Sequence, residues 1–136
     1  MPSTMIFLNL PVADLERSKI FYERLGWKID QEFTDDAAAC VVIDDNISVM
    51  LLSQHFFHNF TQRPRAITTA TVGAVYALAL GSPHQVDALV AAAVAAGGIE
   101  ELYPDRRAQE RAVGMYGRTF LDPDGHQWEP FWMQGQ

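Results

Sequence analysis

The order strand, capped helix, glycine stop, strands occurs twice in this chain of 136 residues, and that repetition limits the fold more than any other feature. Residues 5–12 (MIFLNLPV) form a short apolar run with a proline near its end, which suits a strand whose last residues have left the ladder. Asp14 then caps a helix of about three turns: Leu15, Ser18, Phe21, Tyr22 and Leu25 recur at three-to-four spacing, and Gly26 supplies the stop. Strand-like segments follow at 27–34, 38–43 and 47–53, separated by the turn formers Asp35-Asp36 and Asp44-Asp45-Asn46. In the second half, residues 74–80 (AVYALAL) read as a strand. Ser82-Pro83-His84-Gln85 has the form of a capping box, and Val86, Leu89, Val90, Ala93 and Val94 make a helical stripe ended by Gly97-Gly98. Two small units, neither able to bury its apolar face alone, then make one domain over 1–136: module one over 5–54, a connection over 55–73 and module two over 74–133.

The second module closes on a hairpin. Runs at 115–121 and 126–133 flank Asp122-Pro123-Asp124-Gly125, where proline pre-sets one dihedral and glycine is free to take a positive one. Strand alternation puts His126, Trp128, Pro130 and Trp132 on one face, suited to packing on a helix, and Gln127, Glu129, Phe131 and Met133 on the other. Glu129 is the residue to explain on that second face. Its plain reading is a half-exposed carboxylate with an arginine partner. Pro130 lacks an N–H and predicts an edge position or a local irregularity.

Residues 104–113 (PDRRAQERAV) read as a polar loop. Its arginines 106, 107 and 111 are solvated by default, or form a lid that recognises an anion. Residues 54–70 lack strand alternation and predict a connection with some local helix; His55 and His58 within it have no further metal ligand beside them. Ten basic against seventeen acidic residues, a net charge of −7, argue against a nucleic-acid partner. The single cysteine, Cys40, has no internal disulfide partner and reads as a small core residue. No stretch has the length of a membrane span and no signal segment opens the chain, so a soluble, cytoplasmic protein with no membrane partner is expected.

Residues 10–18 (LPVADLERS) with Phe21-Tyr22 and Leu25-Gly26, and later residues 120–126 (FLDPDGH) with Trp128-Glu129, resemble the vicinal oxygen chelate superfamily. That superfamily includes glyoxalase I, extradiol dioxygenases, and fosfomycin and bleomycin resistance proteins. The resemblance implies an α+β fold in which paired βαβββ modules form a curved, mixed eight-stranded sheet around a cleft, and a homodimer. It also implies four inward positions that hold a divalent metal in metal-dependent members. The last matches Glu129. The others fall at or near Phe7, within residues 49–52, and at or near Val75, where the side chains offer no donor of the kind a divalent ion needs.

The leading expectation is therefore a binder of a small, largely apolar organic molecule, with no cofactor. Its cleft is lined by Phe7, Val75, Phe131 and Met133, with Asn9, Thr119, Gln127 and Glu129 as polar points. One alternative is a metal-dependent glyoxalase-like lyase or dioxygenase, with Glu129 as the one metal ligand of the usual set. The other is a metal-free enzyme with Glu129 as catalytic general base. Tyr116 and Arg118 have the parity opposite Thr119, which predicts a structural role for both.

Overall fold

Asp14, two residues beyond the end of the first strand, starts the first helix: its side chain accepts the Arg17 backbone N–H at 3.1 Å, satisfying one of the donors that a helix start leaves open. The computed structural model describes residues 4–135, which divide after Arg65 into two compact units. The first unit runs β1 (Ile6–Val12), α1 (Leu15–Arg24), β2 (Lys28–Asp30), β3 (Ala38–Asp44), β4 (Ile47–Ser53) and a short α2 (Gln54–Phe57). Its sheet has the order β1-β4-β3-β2, with β1 parallel to β4 and the other pairs antiparallel. Leu10, Val12, Val41, Val49 and Leu51 are buried on the sheet and Phe21 and Tyr22 on α1, which packs on β3 and β4.

The strand expected over 27–34 is cut to three residues. The Asp30 carboxylate accepts the Glu32 N–H at 3.1 Å and the Thr34 hydroxyl donates to the Asp30 carbonyl at 2.7 Å, so local bonds curl Gln31–Phe33 into a 3-10 turn.

The second unit repeats the plan with an insertion. It runs β5 (Val75–Ala79), α3 (Pro83–Ala95), β6 (Ile99–Glu101), α4 (Pro104–Ala112), β7 (Met115–Gly117), β8 (Thr119–Leu121) and β9 (Gln127–Met133). β5 lies parallel to β9, which is antiparallel to both β7 and β8, and β8 is antiparallel to β6. Ser82 caps α3 by accepting the Gln85 N–H at 3.2 Å, while the Gln85 side chain reaches back to the Gly81 N–H at 2.7 Å. Trp128 is fully buried beneath α3, with the rings of Tyr76 and Phe120 at 5.1 and 6.4 Å.

The α+β class and the paired βαβββ modules are borne out, as two mixed sheets of four and five strands. The extra strand has a simple cause. Gly117 pairs with Phe131 and Phe120 with Trp128, one unbroken register, so β7 and β8 are a single extended run interrupted only where Arg118 meets Pro130, which has no N–H to give. Pro130 thus marks a local irregularity, and its strand is central to the sheet, not at an edge.

Residues 104–112 are a helix, not the loop expected. Proline sits in its first turn, and Glu110 is paired with Arg106 and Arg107, four and three residues before it. A nine-residue helix is marginal alone, so what holds this one is what it touches on the sheet. The hairpin turn is as expected: the Gly125 N–H donates to the Asp122 carbonyl at 3.0 Å, with Gly125 at φ +83°. Residues 66–71 pass directly over it, and the Thr68 hydroxyl donates to the Asp124 carbonyl at 2.6 Å.

Candidate functional site

Alternation along β9 points Glu129 away from α3, and pairing defines its neighbours on that face. Ala77 of β5 lies opposite Glu129, Val75 opposite Gln127, and Ala79 opposite Phe131. On the other side the Thr119 hydroxyl donates to Glu129 Oε2 at 3.4 Å. Thr119 is fully buried and Glu129 is 6% exposed, whereas Val75, Ala77 and Ala79 are open to solvent and Gln127 and Phe131 are half-buried.

Helix α4 supplies the rest. Arg106 Nη1 donates to Glu129 Oε2 at 3.1 Å and its Nη2 to Oε1, while Nε donates to Glu110 Oε2 at 3.1 Å. Arg107 follows at once and takes the neighbouring partners. Its Nη1 donates to Glu110 Oε1 at 2.8 Å and stands 4.0 Å from Glu129 Oε1, its Nη2 donates to Thr119 Oγ1, and its guanidinium carbon lies 5.9 Å from the centre of the Tyr103 ring. Two guanidinium groups and two carboxylates thus close one network on the sheet. The hydrogen bonds to Glu129, against some desolvation, hold the Arg106 guanidinium above its ordinary value.

Gly117 makes room for this network: a Cβ there would stand 3.0 Å from Arg107 Nη1 and 3.3 Å from Glu110 Oε1. On the opposite face, Arg118 is bonded to Glu100 and Asp87, and the Tyr116 hydroxyl donates to Asp87, as their parity predicted.

Val75, Thr119, Gln127, Glu129 and Phe131 are therefore brought to one sheet face of the second unit. Phe7 and Asn9 belong to the first unit, both exposed on β1. The arginine partner of the plain reading of Glu129 is present, but the carboxylate is buried, not half-exposed. The partner's identity was not readable. It comes from 23 residues away, and its one local trace is the pair of arginines spaced three and four residues before Glu110.

Residues 4–44 match the sequence model of the bleomycin resistance protein-like N-terminal family. Among solved structures, a hypothetical protein from S. aureus is similar at 29% identity, with a TM-score of 0.72 over 96% of this chain and 94% of that one. A glyoxalase/bleomycin resistance protein/dioxygenase family enzyme from Burkholderia phytofirmans has a TM-score of 0.75 at 14% identity, covering 96% and 99% of the two chains. The chain has the vicinal oxygen chelate fold. A lactoylglutathione lyase from Agrobacterium tumefaciens shares this fold at 18% identity and a TM-score of 0.64, covering 96% and 94%. Comparison with curated protein sequences gives no match.

The residues present do not fit the metal site that occurs in the vicinal oxygen chelate fold. In the first unit Phe7 pairs with Ser48 and Asn9 with Met50, so the members of 49–52 that share the Phe7 face are Met50 and Leu52, a thioether and an alkyl group. In the second unit Val75 offers no donor, and both oxygens of Glu129 face one guanidinium, whose positive charge opposes a divalent cation at the same place. Among the described residues no three His, Cys, Asp or Glu stand together where they could hold a metal ion.

Proposed function

We propose that the protein binds a small, largely apolar organic molecule on the sheet face around Glu129, without metal-dependent chemistry. The observation that carries this reading is the Arg106 guanidinium seated on the Glu129 carboxylate, the one position that the family resemblance matches to a metal ligand. The charge of Glu129 is already balanced, so the face beside it is polar at one point and apolar along Val75, Ala77, Ala79 and Phe131. A ligand with an apolar body and one hydrogen-bonding group matches such a face. Gln127 and the half-exposed outer edge of Arg106 are the groups open to that polar contact.

A lyase or dioxygenase is the reading that the names of the Agrobacterium and Burkholderia proteins favour, and for this chain its metal-dependent form is the alternative. One experiment separates the two: metal analysis of untagged protein, then thermal melting with added zinc, nickel or manganese, and in parallel with anilinonaphthalene sulfonate as an apolar probe. Binding to the folded state raises the melting temperature. The expected result is no stoichiometric metal, no shift with any ion, and a probe-induced shift that Val75→Arg abolishes. Stoichiometric metal that disappears in Glu129→Ala overturns the reading.

A further inference from the structure

β7 is bonded to β9 along one edge, and among the described residues no strand pairs with its other edge, because β6 ends at Glu101 beside β8. The Arg118 N–H donates to the Pro130 carbonyl at 3.1 Å, so alternation along the strand turns the Gly117 N–H and C=O away from β9. Gly117 borders a cavity of about 320 Å³ whose walls include Leu102, Tyr103 and Pro104.

Five charged side chains border the same cavity. Three are engaged: Arg118 by Glu100 and Asp87, Glu100 by Arg118, and Arg107 by Glu110 and Thr119. The other two, Glu101 and Arg111, have no hydrogen-bond or ion-pair partner among the described residues. Glu101 lies opposite Thr119 and shares the sheet face on which α4 makes its contacts, and Arg111 comes one helical turn after Arg107. One carboxylate and one guanidinium without partners, an open strand edge and an apolar wall thus meet at one small cavity. A purely anionic or purely cationic ligand would meet one like charge there, whereas a ligand carrying both charges meets two opposite ones. The volume is at the low end for ligand pockets, which suits a single small metabolite.

We propose that this cavity binds a free α-amino acid with an aromatic or large aliphatic side chain. Its carboxylate lies against Arg111 and the Gly117 N–H, its ammonium against Glu101, and its side chain against Leu102, Tyr103 and Pro104. This assignment is independent of the reading of Glu129 and of any metal.

The test is calorimetric titration of the full chain with phenylalanine and with two analogues, phenylpropionate, which lacks the ammonium, and phenethylamine, which lacks the carboxylate. Phenylalanine is expected to bind and each analogue to bind at least about tenfold more weakly, the loss that follows from removing one charge-assisted contact. Arg111→Gln weakens phenylalanine about tenfold and removes the discrimination against phenethylamine; Glu101→Gln does the same for phenylpropionate. Arg111 is exposed, so its replacement leaves the fold intact, and unchanged melting verifies this. A shift of the Gly117 amide resonance on adding phenylalanine places the ligand at the strand edge. No heat with phenylalanine, leucine or tryptophan, equal affinity for phenylalanine in wild type and both variants, or a binding signal with a silent Gly117 amide overturns the proposal.

Discussion

Arg106→Ala, Glu129→Gln and the double variant together measure whether the guanidinium holds the buried carboxylate. Two opposite charges 3.1 Å apart attract by about 5 kcal/mol at an effective dielectric constant near 20, an upper bound before desolvation is counted. The Glu129 side chain is 8% exposed and has lost most of its water, whereas Arg106, at 48%, keeps much of its own and is screened. Arg107 stays 4.0 Å from the same carboxylate and softens the loss of its neighbour. The net coupling expected is therefore about 1.5–3 kcal/mol, above an exposed pair and below a fully desolvated one. Arg106→Ala alone costs about 1–3 kcal/mol, because an ionised carboxylate is left half-satisfied. Urea unfolding of the four proteins, followed by tryptophan fluorescence, gives the coupling from the differences in free energy. A coupling under about 0.5 kcal/mol, the value of an ordinary surface pair, would refute the reasoning. Arg106 would then be a solvated side chain, and the metal-free reading would lose the observation that carries it.

Two further outcomes follow from the same unit. A Cβ on Gly125 would stand 2.2 Å from the Thr68 carbonyl oxygen, and the residue sits at φ +83°, whereas Gly97, at φ +106°, has open space around it. Gly97→Ala should therefore cost only backbone strain of about 1 kcal/mol, while Gly125→Ala should cost about 1–3 kcal/mol more and speed proteolysis within residues 66–72, measured by urea unfolding and limited digestion. Asp87 is held below its ordinary carboxylate range first by the Tyr116 hydroxyl and then by Arg118, so the stability it adds is present above about pH 5 and is lost as pH falls through its folded value. The stability gap between wild type and Asp87→Asn should accordingly shrink from pH 6 to pH 3; a gap independent of pH over that range, read by thermal melting, contradicts this pairing.

Much of the fold was legible because its signals are local. Asp14 and Ser82 as caps, the apolar stripes of α1 and α3, and the Asp122–Gly125 turn each depend on a few neighbouring residues and on a period that strands and helices impose alone. The same local chemistry assigns faces along β9, so alternation alone puts Trp128 against a helix and Glu129 on the opposite side. α4 escaped because its composition is that of a solvated segment and its stability is borrowed from the sheet beneath it.

What residues could be read from order and spacing alone were those whose partners lie within one turn or along one strand. Which cation would neutralise Glu129 was decided by tertiary contact, through a guanidinium 23 residues away along the chain. The gap at the end of β6, where the side chains of Glu101 and Arg111 have no partner among the described residues, exists for the same reason. Both depend on where one short helix settles against one strand, and no period in a sequence encodes a distance between elements.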